Sequence, residues 1–314
     1  MSKRHWAAAL TAAAAALVGA TSACDSSAAR GQTGHAQDRQ ASPQGHGSQH
    51  AGAEGKHEAG DGMATTFAEV GREERTFAVS GVPQVRIDNF EGSVTVKSWD
   101  RAEVGFTAVK RGVDKAALDG IQLQASQRGD EVVLGARFTK GDRRMRLGGS
   151  DVRAKGAYVE WEVSVPRAAN VSLATGDGPL SVTGVDGLVE LRTGDGKIEV
   201  FDGRGRVNAR TNDGLIRIAR FDGEVEAREM GDHGINLEGR FARVTAETGG
   251  SAIWLALPAG ADATLETDSD NVINDGVEVT RESGNRWRVG RGGSVYSLRT
   301  GDGQIFVRRS ANMQ

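Results

Sequence analysis

The sequence is short of most things that hold a packed α/β enzyme together. Its 314 residues include 1 Cys, 5 Pro and only 5% aromatic residues. One cysteine excludes an intramolecular disulfide, and with it the stapled class of small secreted domain. No apolar run reaches the ~20 residues that a helix needs to span a bilayer; the longest runs from Ala7 to Ala20. A formal charge of −3 excludes a nucleic-acid-binding polycation and a strongly acidic tail protein alike. What the chain has instead is glycine, 44 residues of it, which suits a fold that turns about every eight to ten residues.

The glycines are periodic. Thr-Gly-Asp-Gly occurs at 175–178, 193–196 and 300–303, and Thr211-Asn212-Asp213-Gly214 is a near copy. The copies that begin at 175, 193 and 211 are evenly spaced, at an 18-residue period. Self-similarity at a fixed period signals a stacked repeat. Between the turns the chain alternates as half-buried strands do. Val189 and Leu191 alternate with Glu190 and Arg192, and after the turn Ile198 and Val200 alternate with Lys197 and Glu199. Val171, Leu173, Leu180 and Val182 form the rung before, and Val207, Ala209, Ile216 and Ile218 the rung after. Asp186-Gly187, Asp202-Gly203 and Asp222-Gly223 mark the opposite turns. Gly accepts positive φ there, and Asp bonds its own backbone two residues on.

The expected architecture is all-β, a parallel β-solenoid of 18-residue rungs, regular over 171–309, preceded by a less regular β portion that starts at 67. A single rung cannot bury its apolar face alone, so several must fold together. Val85, Ile87, Val94 and Val96 read as a first rung, and 132–134 and 158–163 as further strands. The charged stretch 139–156 reads as a loop, and Val113 to Leu123 as one short helix.

The N-terminus reads as a processing signal. Lys3 and Arg4 precede the apolar run, and Thr21-Ser22-Ala23 supplies small residues before Cys24. This resembles a bacterial lipobox, with Thr21 where that motif usually carries Leu. The expectation is a signal peptide over 1–23, lipidation of Cys24 and an exported, envelope-held, membrane-anchored protein. The alternative is ordinary cleavage after Ala23, leaving a soluble periplasmic or secreted protein. Loss of Lys3 and Arg4 takes the formal charge from −3 to −3 − 2 = −5. Residues 24–66 then form the anchor cysteine and a Gly/Ser/Gln/His linker with a reach of roughly 35 Å. His35, His46, His50 and His57 lie in it at spacings that match no defined metal site. The domain proper spans 67–314.

Asn89-Phe90-Glu91-Gly92-Ser93-Val94-Thr95-Val96, Trp99-Asp100, Val163-Ser164-Val165-Pro166 and the Thr-Gly-Asp-Gly rungs occur in an order that resembles the bacterial putative-adhesin domains, a family of unknown function. The resemblance covers about residues 75–309. It implies a β-helix-like fold in envelope-anchored proteins, and it conveys a location better than an activity.

Asp177, Asp195 and Asp213 recur at one turn and should stack at ~4.8 Å intervals. Turn chemistry, calcium binding and carboxylate catalysis compete as their role. Two nine-residue calcium-roll repeats would span one rung, but here Asp lies between the glycines and no second Asp follows in place. A glycan-active enzyme needs paired carboxylates in a cleft, and no long insertions build cleft walls. His233 is the sole histidine beyond the linker, so a Ser-His-Asp arrangement would have to use it; it reads as a turn variant. Trp161, Trp254 and Trp287 are candidates for a sugar-stacking platform, with Trp254 pointing outward. Arg192, Arg210 and Arg228 share one outward position in successive rungs, beside Glu190, Asn208 and Glu226. They form either a solvated face or a stripe that pairs with an anionic glycan or cell-wall polymer. The function expected is therefore a non-enzymatic, adhesin-like interaction or scaffold lipoprotein without cofactor or nucleic-acid partner. The alternatives are a calcium-dependent surface module and a polysaccharide-active β-helix enzyme.

Overall fold

The computed structural model describes residues 67–139, 145–147, 150–152 and 156–311. The signal segment, Cys24 and the linker lie outside the described residues, as does most of the charged stretch 139–156. What is described is all-β, with one helix, Lys115–Asp119. Asp114 caps that helix by accepting from the Ala117 N–H at 2.6 Å, and Gly120 ends it. The expected helix is thus shorter than its sequence window, because from Ile121 onward the pattern alternates and a strand, Ile121–Arg128, takes over.

Two parallel ladders carry the repeat. The first stacks Gln84–Asn89, Asn170–Thr175, Asp186–Asp195, Arg204–Asp213, residues 222–229 and 240–248 of two long strands, and Ser294–Arg299. The second stacks Ala157–Pro166, Val94–Trp99, Leu180–Thr183, Ile198–Phe201, residues 216–221 and 235–239 of the same long strands, Ile253–Leu257, Ile305–Arg309 and Val272–Asp275. The chain alternates between the ladders, and Val171, Val189, Val207 and Val225 align at the regular period of the sequence. One rung departs from it. Ile216 pairs with Ile235, one position beyond the regular period, because the turn from Glu229 to Ile235 is one residue longer than the aligned turn from Thr211 to Ile216; the register shifts near Phe221 and Glu224 cancel each other.

The alternation has its expected consequence. Inward positions of the first ladder (Val85, Val171, Val189, Val207, Val225, Val244) and of the second (Val94, Leu180, Ile198, Ile216, Ile235, Ile253, Ile305) are all buried and belong to one continuous core. β-Branched residues dominate because they pack well on a pleated, stacked surface.

The sheet as a whole is mixed, which corrects the expectation of a uniformly parallel stack. Five antiparallel pairings join its 21 strands to the ladders. Glu69–Ala78 pairs with Glu103–Gly112, which pairs with Ala157–Pro166, and Ile121–Arg128 pairs with Glu131–Phe138. The rungs expected through 171–309 are also interrupted. After Leu257, Ala263–Thr267 and Val279–Ser283 pair antiparallel with Arg286–Val289, with Val272–Asp275 of the second ladder between them, before the first ladder resumes at Ser294. The physical reason is at the edges: a free ladder end exposes unpaired backbone groups and must be covered. The outermost strand Glu69–Ala78 carries Arg72, Glu73, Glu74 and Arg75, charges that blunt its open side.

Candidate functional site

The threonine of the repeated motif is not part of an exposed turn. Asn89, Thr175, Thr193, Thr211, Glu229 and Thr248 align on the first ladder and are all buried, and Thr300 is buried in the last copy of the motif. The Thr193 hydroxyl donates to the Gly178 carbonyl at 3.0 Å, in the turn of the rung before. Thr211 repeats this with Gly196 and also reaches the Asp213 carbonyl, both at 3.1 Å. Each hydroxyl therefore ties a strand to the preceding turn and satisfies carbonyls that the turn leaves over. The glycines permit the close approach. Gly214 has φ +143°, and a Cβ there would lie 2.3 Å from the Gly196 carbonyl oxygen. The signal was present in the sequence, since Thr193 falls two positions after inward Leu191, at inward parity.

Asp177, Asp195 and Asp213 are exposed at one turn column. Asp177 Oδ1 accepts from the Asp195 N–H at 3.1 Å, which is turn chemistry. Only Asp213 enters a group with metal-ligand proximity, and its companions are Asp232 and His233, all exposed and with ligand atoms within 4.8 Å of one another. Asp177 and Asp195 are not part of that group. His233 Nδ1 lies 2.6 Å from Asp213 Oδ1, so His233 is a partner of this aspartate rather than a filler in the turn. Beneath it the buried Glu229 replaces the threonine of the other rungs and accepts from the N–H groups of Gly231 at 2.7 Å and Gly234 at 3.2 Å. Among the described residues no hydrogen bond joins His233 to a serine.

The three tryptophans do not form one platform. Trp161 is only 1% exposed, packed against Phe106 with ring centroids 5.4 Å apart. Trp287 is half-buried under Arg281. Trp254 does face outward, and it stacks on Phe306 of the neighbouring strand at 5.8 Å and 9°.

The arginine column is assembled as the spacing implies. Arg192 aligns with Arg210 and Arg210 with Arg228, while Glu190, Asn208 and Glu226 align beside them. The column is neutralised unevenly. Glu226 takes Arg210 at 2.9 Å and Arg228 at 3.3 Å, and Arg228 also meets Glu247 at 3.5 Å. Asn208 stands one rung below Glu226, in the place diagonal to Arg192. Among the described residues Arg192 therefore has no acid within salt-bridge distance. The Nε atoms of Arg210 and Arg228 are buried without a hydrogen-bond acceptor. A hollow of about 270 Å³ opens beside Arg192 and Arg210, with Ser172 and Ala174 in its lining.

No family model and no curated protein matches the chain. Among solved structures it is similar to a putative cell adhesion protein from Clostridium sporogenes ATCC 15579, with 11% identity, a TM-score of 0.33, and coverage of 77% of this chain and 100% of that one. It is similar to a putative adhesin from Bacteroides fragilis NCTC 9343, with 11% identity, a TM-score of 0.38, and coverage of 76% and 97%. It is also similar to a putative lipid binding protein from Parabacteroides distasonis ATCC 8503, with 10% identity, a TM-score of 0.37, and coverage of 75% and 96%. At such TM-scores and identities the likenesses assign no ligand to this chain.

Proposed function

We propose that the protein is a non-enzymatic, adhesin-like interaction module, held at the cell envelope through a lipidated Cys24. In this reading the two parallel ladders are the sides of a β-solenoid, and the outward face of the first ladder binds an anionic glycan or cell-wall polymer. The observation that carries it is the aligned, unevenly neutralised column of Arg192, Arg210 and Arg228 on a flat, regular sheet face. Such a face offers weak contacts at repeated spacings, which a polymer can use several at a time. The reading favours binding over catalysis because the repeated carboxylates are exposed at turns, where Asp177 holds the Asp195 N–H and Asp213 meets His233.

The test is retention on an anionic cell-wall polymer at low ionic strength. Substituting Arg192, Arg210 and Arg228 together by Ser should abolish retention and leave stability within about 1 kcal/mol, since exposed pairs contribute little. Unchanged retention in the triple variant overturns the reading. The anchor is tested separately by the intact mass of the membrane fraction, wild type against Cys24→Ser. A second reading, a module dependent on a divalent cation, is favoured by one observation, the Asp213, Asp232 and His233 group. It requires that millimolar Ca²⁺ raise the melting temperature and that Asp213→Asn remove the gain.

A further inference from the structure

Within the proposed anion-binding face, and resting on that reading, the rungs are not equivalent. We infer that the hollow beside Arg192 is a subsite for one carboxylate of an acidic sugar, and that the arginine column works through this subsite rather than as three equal steps.

The argument starts from which charges are already used. Arg228 is held by two acids, Glu226 and Glu247. Arg210 gives one arm to Glu226 and keeps a buried, unaccepted Nε. Arg192 is left open because position 208 carries an amide where the next rung carries a carboxylate. One substitution in the repeat, Asn for Glu, thus frees one guanidinium.

Space is made at the same place. On the column that aligns with Arg192, the rung before carries Ala174. A long side chain there would fill the hollow, and Ala174 and Ser172 leave it empty. On its far side Arg86 and Asp88 neutralise each other at 2.9 Å. Of the cations in the lining, Arg86 is paired with Asp88 and Arg210 with Glu226 of the next rung, which leaves Arg192 as the one without an acid at salt-bridge distance among the described residues. Its charge balances one carboxylate. A dianionic phosphate would meet repulsion from Glu190 and Asp88.

The remaining groups select what surrounds the carboxylate. A guanidinium fork matches a planar carboxylate in two parallel bonds. Asn208 and Ser172 add neutral donors, and Glu190 and Asp88 can accept from hydroxyl groups. A carboxylate flanked by hydroxyls on a ring is a hexuronate.

The experiment uses oligogalacturonate as the probe and its carboxyl-reduced form as the control, titrated into the protein and followed by calorimetry. Wild type should bind the acid and not the reduced oligomer. Arg192→Ser should weaken binding about tenfold or more, the effect of losing a charge-assisted bidentate contact. Arg228→Ser, which removes an arginine already held by two acids, should weaken it markedly less than Arg192→Ser does. Asn208→Glu should weaken binding as much as Arg192→Ser while removing no arginine, because it supplies Arg192 with the missing partner. Melting temperatures of all three variants check that each is folded. Equal losses in Arg192→Ser and Arg228→Ser would mean a diffuse field and overturn the subsite. So would undiminished binding in Asn208→Glu. If wild type is retained on cell-wall polymer but ignores oligogalacturonate, the subsite fails and the proposed function stands. If it binds neither, both fall.

Discussion

The middle of the molecule and its flanks solve the same problem in opposite ways. Between Asn170 and Leu257 each strand finds its partner one rung away, parallel and in a register repeated by the sequence itself. At the flanks antiparallel partners come in beside the parallel ones and their identity is not periodic: Glu69–Ala78 finds Glu103–Gly112, and Ala263–Thr267 finds Arg286–Val289. The middle buries one face of every strand in a shared core. The flanking strands Glu69–Ala78 and Val279–Ser283 have almost no buried residue. The contrast separates two tasks, propagating a stack and ending it. Propagation needs the same residue at the same place in each rung; ending needs charged or short strands that accept no further neighbour.

The comparison breaks most sharply at the core. Val200→Asp places a charge beside Val182 and Ile218 of the neighbouring strands with no partner, and should cost at least about 4 kcal/mol. Leu123→Asp, on the half-exposed flanking strand Ile121–Arg128, should cost markedly less. Chemical denaturation of the two variants side by side measures the difference, and equal losses would dissolve the distinction between stack and cover.

A second test uses alkali at the far end of the first ladder. Tyr296 is buried, donates its hydroxyl to the Phe241 carbonyl at 2.8 Å, and has its pKa raised by burial to about 12. In the unfolded chain it ionises near its ordinary value of 10.0. Below 10 both states keep the proton and Tyr296 adds no pH dependence. Between 10 and about 12 the unfolded state alone loses it, so stability falls as pH rises, by on the order of 2 kcal/mol across the window. Denaturation at a series of pH values should show this slope in wild type and a shallower one in Tyr296→Phe.

The smallest effect tests the staple. Thr211→Val keeps shape and removes the hydroxyl that serves Gly196 and Asp213, and should cost about 1–2 kcal/mol. Thr211→Ser should recover most of it. If valine is tolerated without loss, the buried threonines are packing units only.

The stack was legible because its information is local. Parity along a strand and a constant offset between rungs are enough to assign the inward faces of both ladders, and Val189, Leu191, Ile198 and Val200 all fall where their alternation puts them. The outward arginine column followed from the same offset. Its neutralisation did not, because whether Glu226 reaches Arg210, Arg228 or both depends on side-chain reach between strands. Long-range pairings were equally invisible. Trp254 and Phe306 are distant along the chain and meet only because their strands are neighbours. Of the N-terminal flank the sequence shows a few strands but not their partners, and the C-terminal flank reads as further regular rungs, since no periodic signal tells an antiparallel cover whom to join.

The shared period has a consequence for how such a chain can change in length. Turn glycines such as Gly196 and Gly214 are fitted against the carbonyl one rung below, and each inward side chain against its copy one period away. Excising or duplicating one whole period between Val171 and Phe221 therefore rejoins like with like, whereas a deletion one position shorter turns each following strand inside out. The longer interval between Ile216 and Ile235 is tolerated because its extra residue sits in the turn between Glu229 and Ile235, outside the paired strands. Length in this protein is quantised: the natural unit of gain or loss is one complete circuit of the chain.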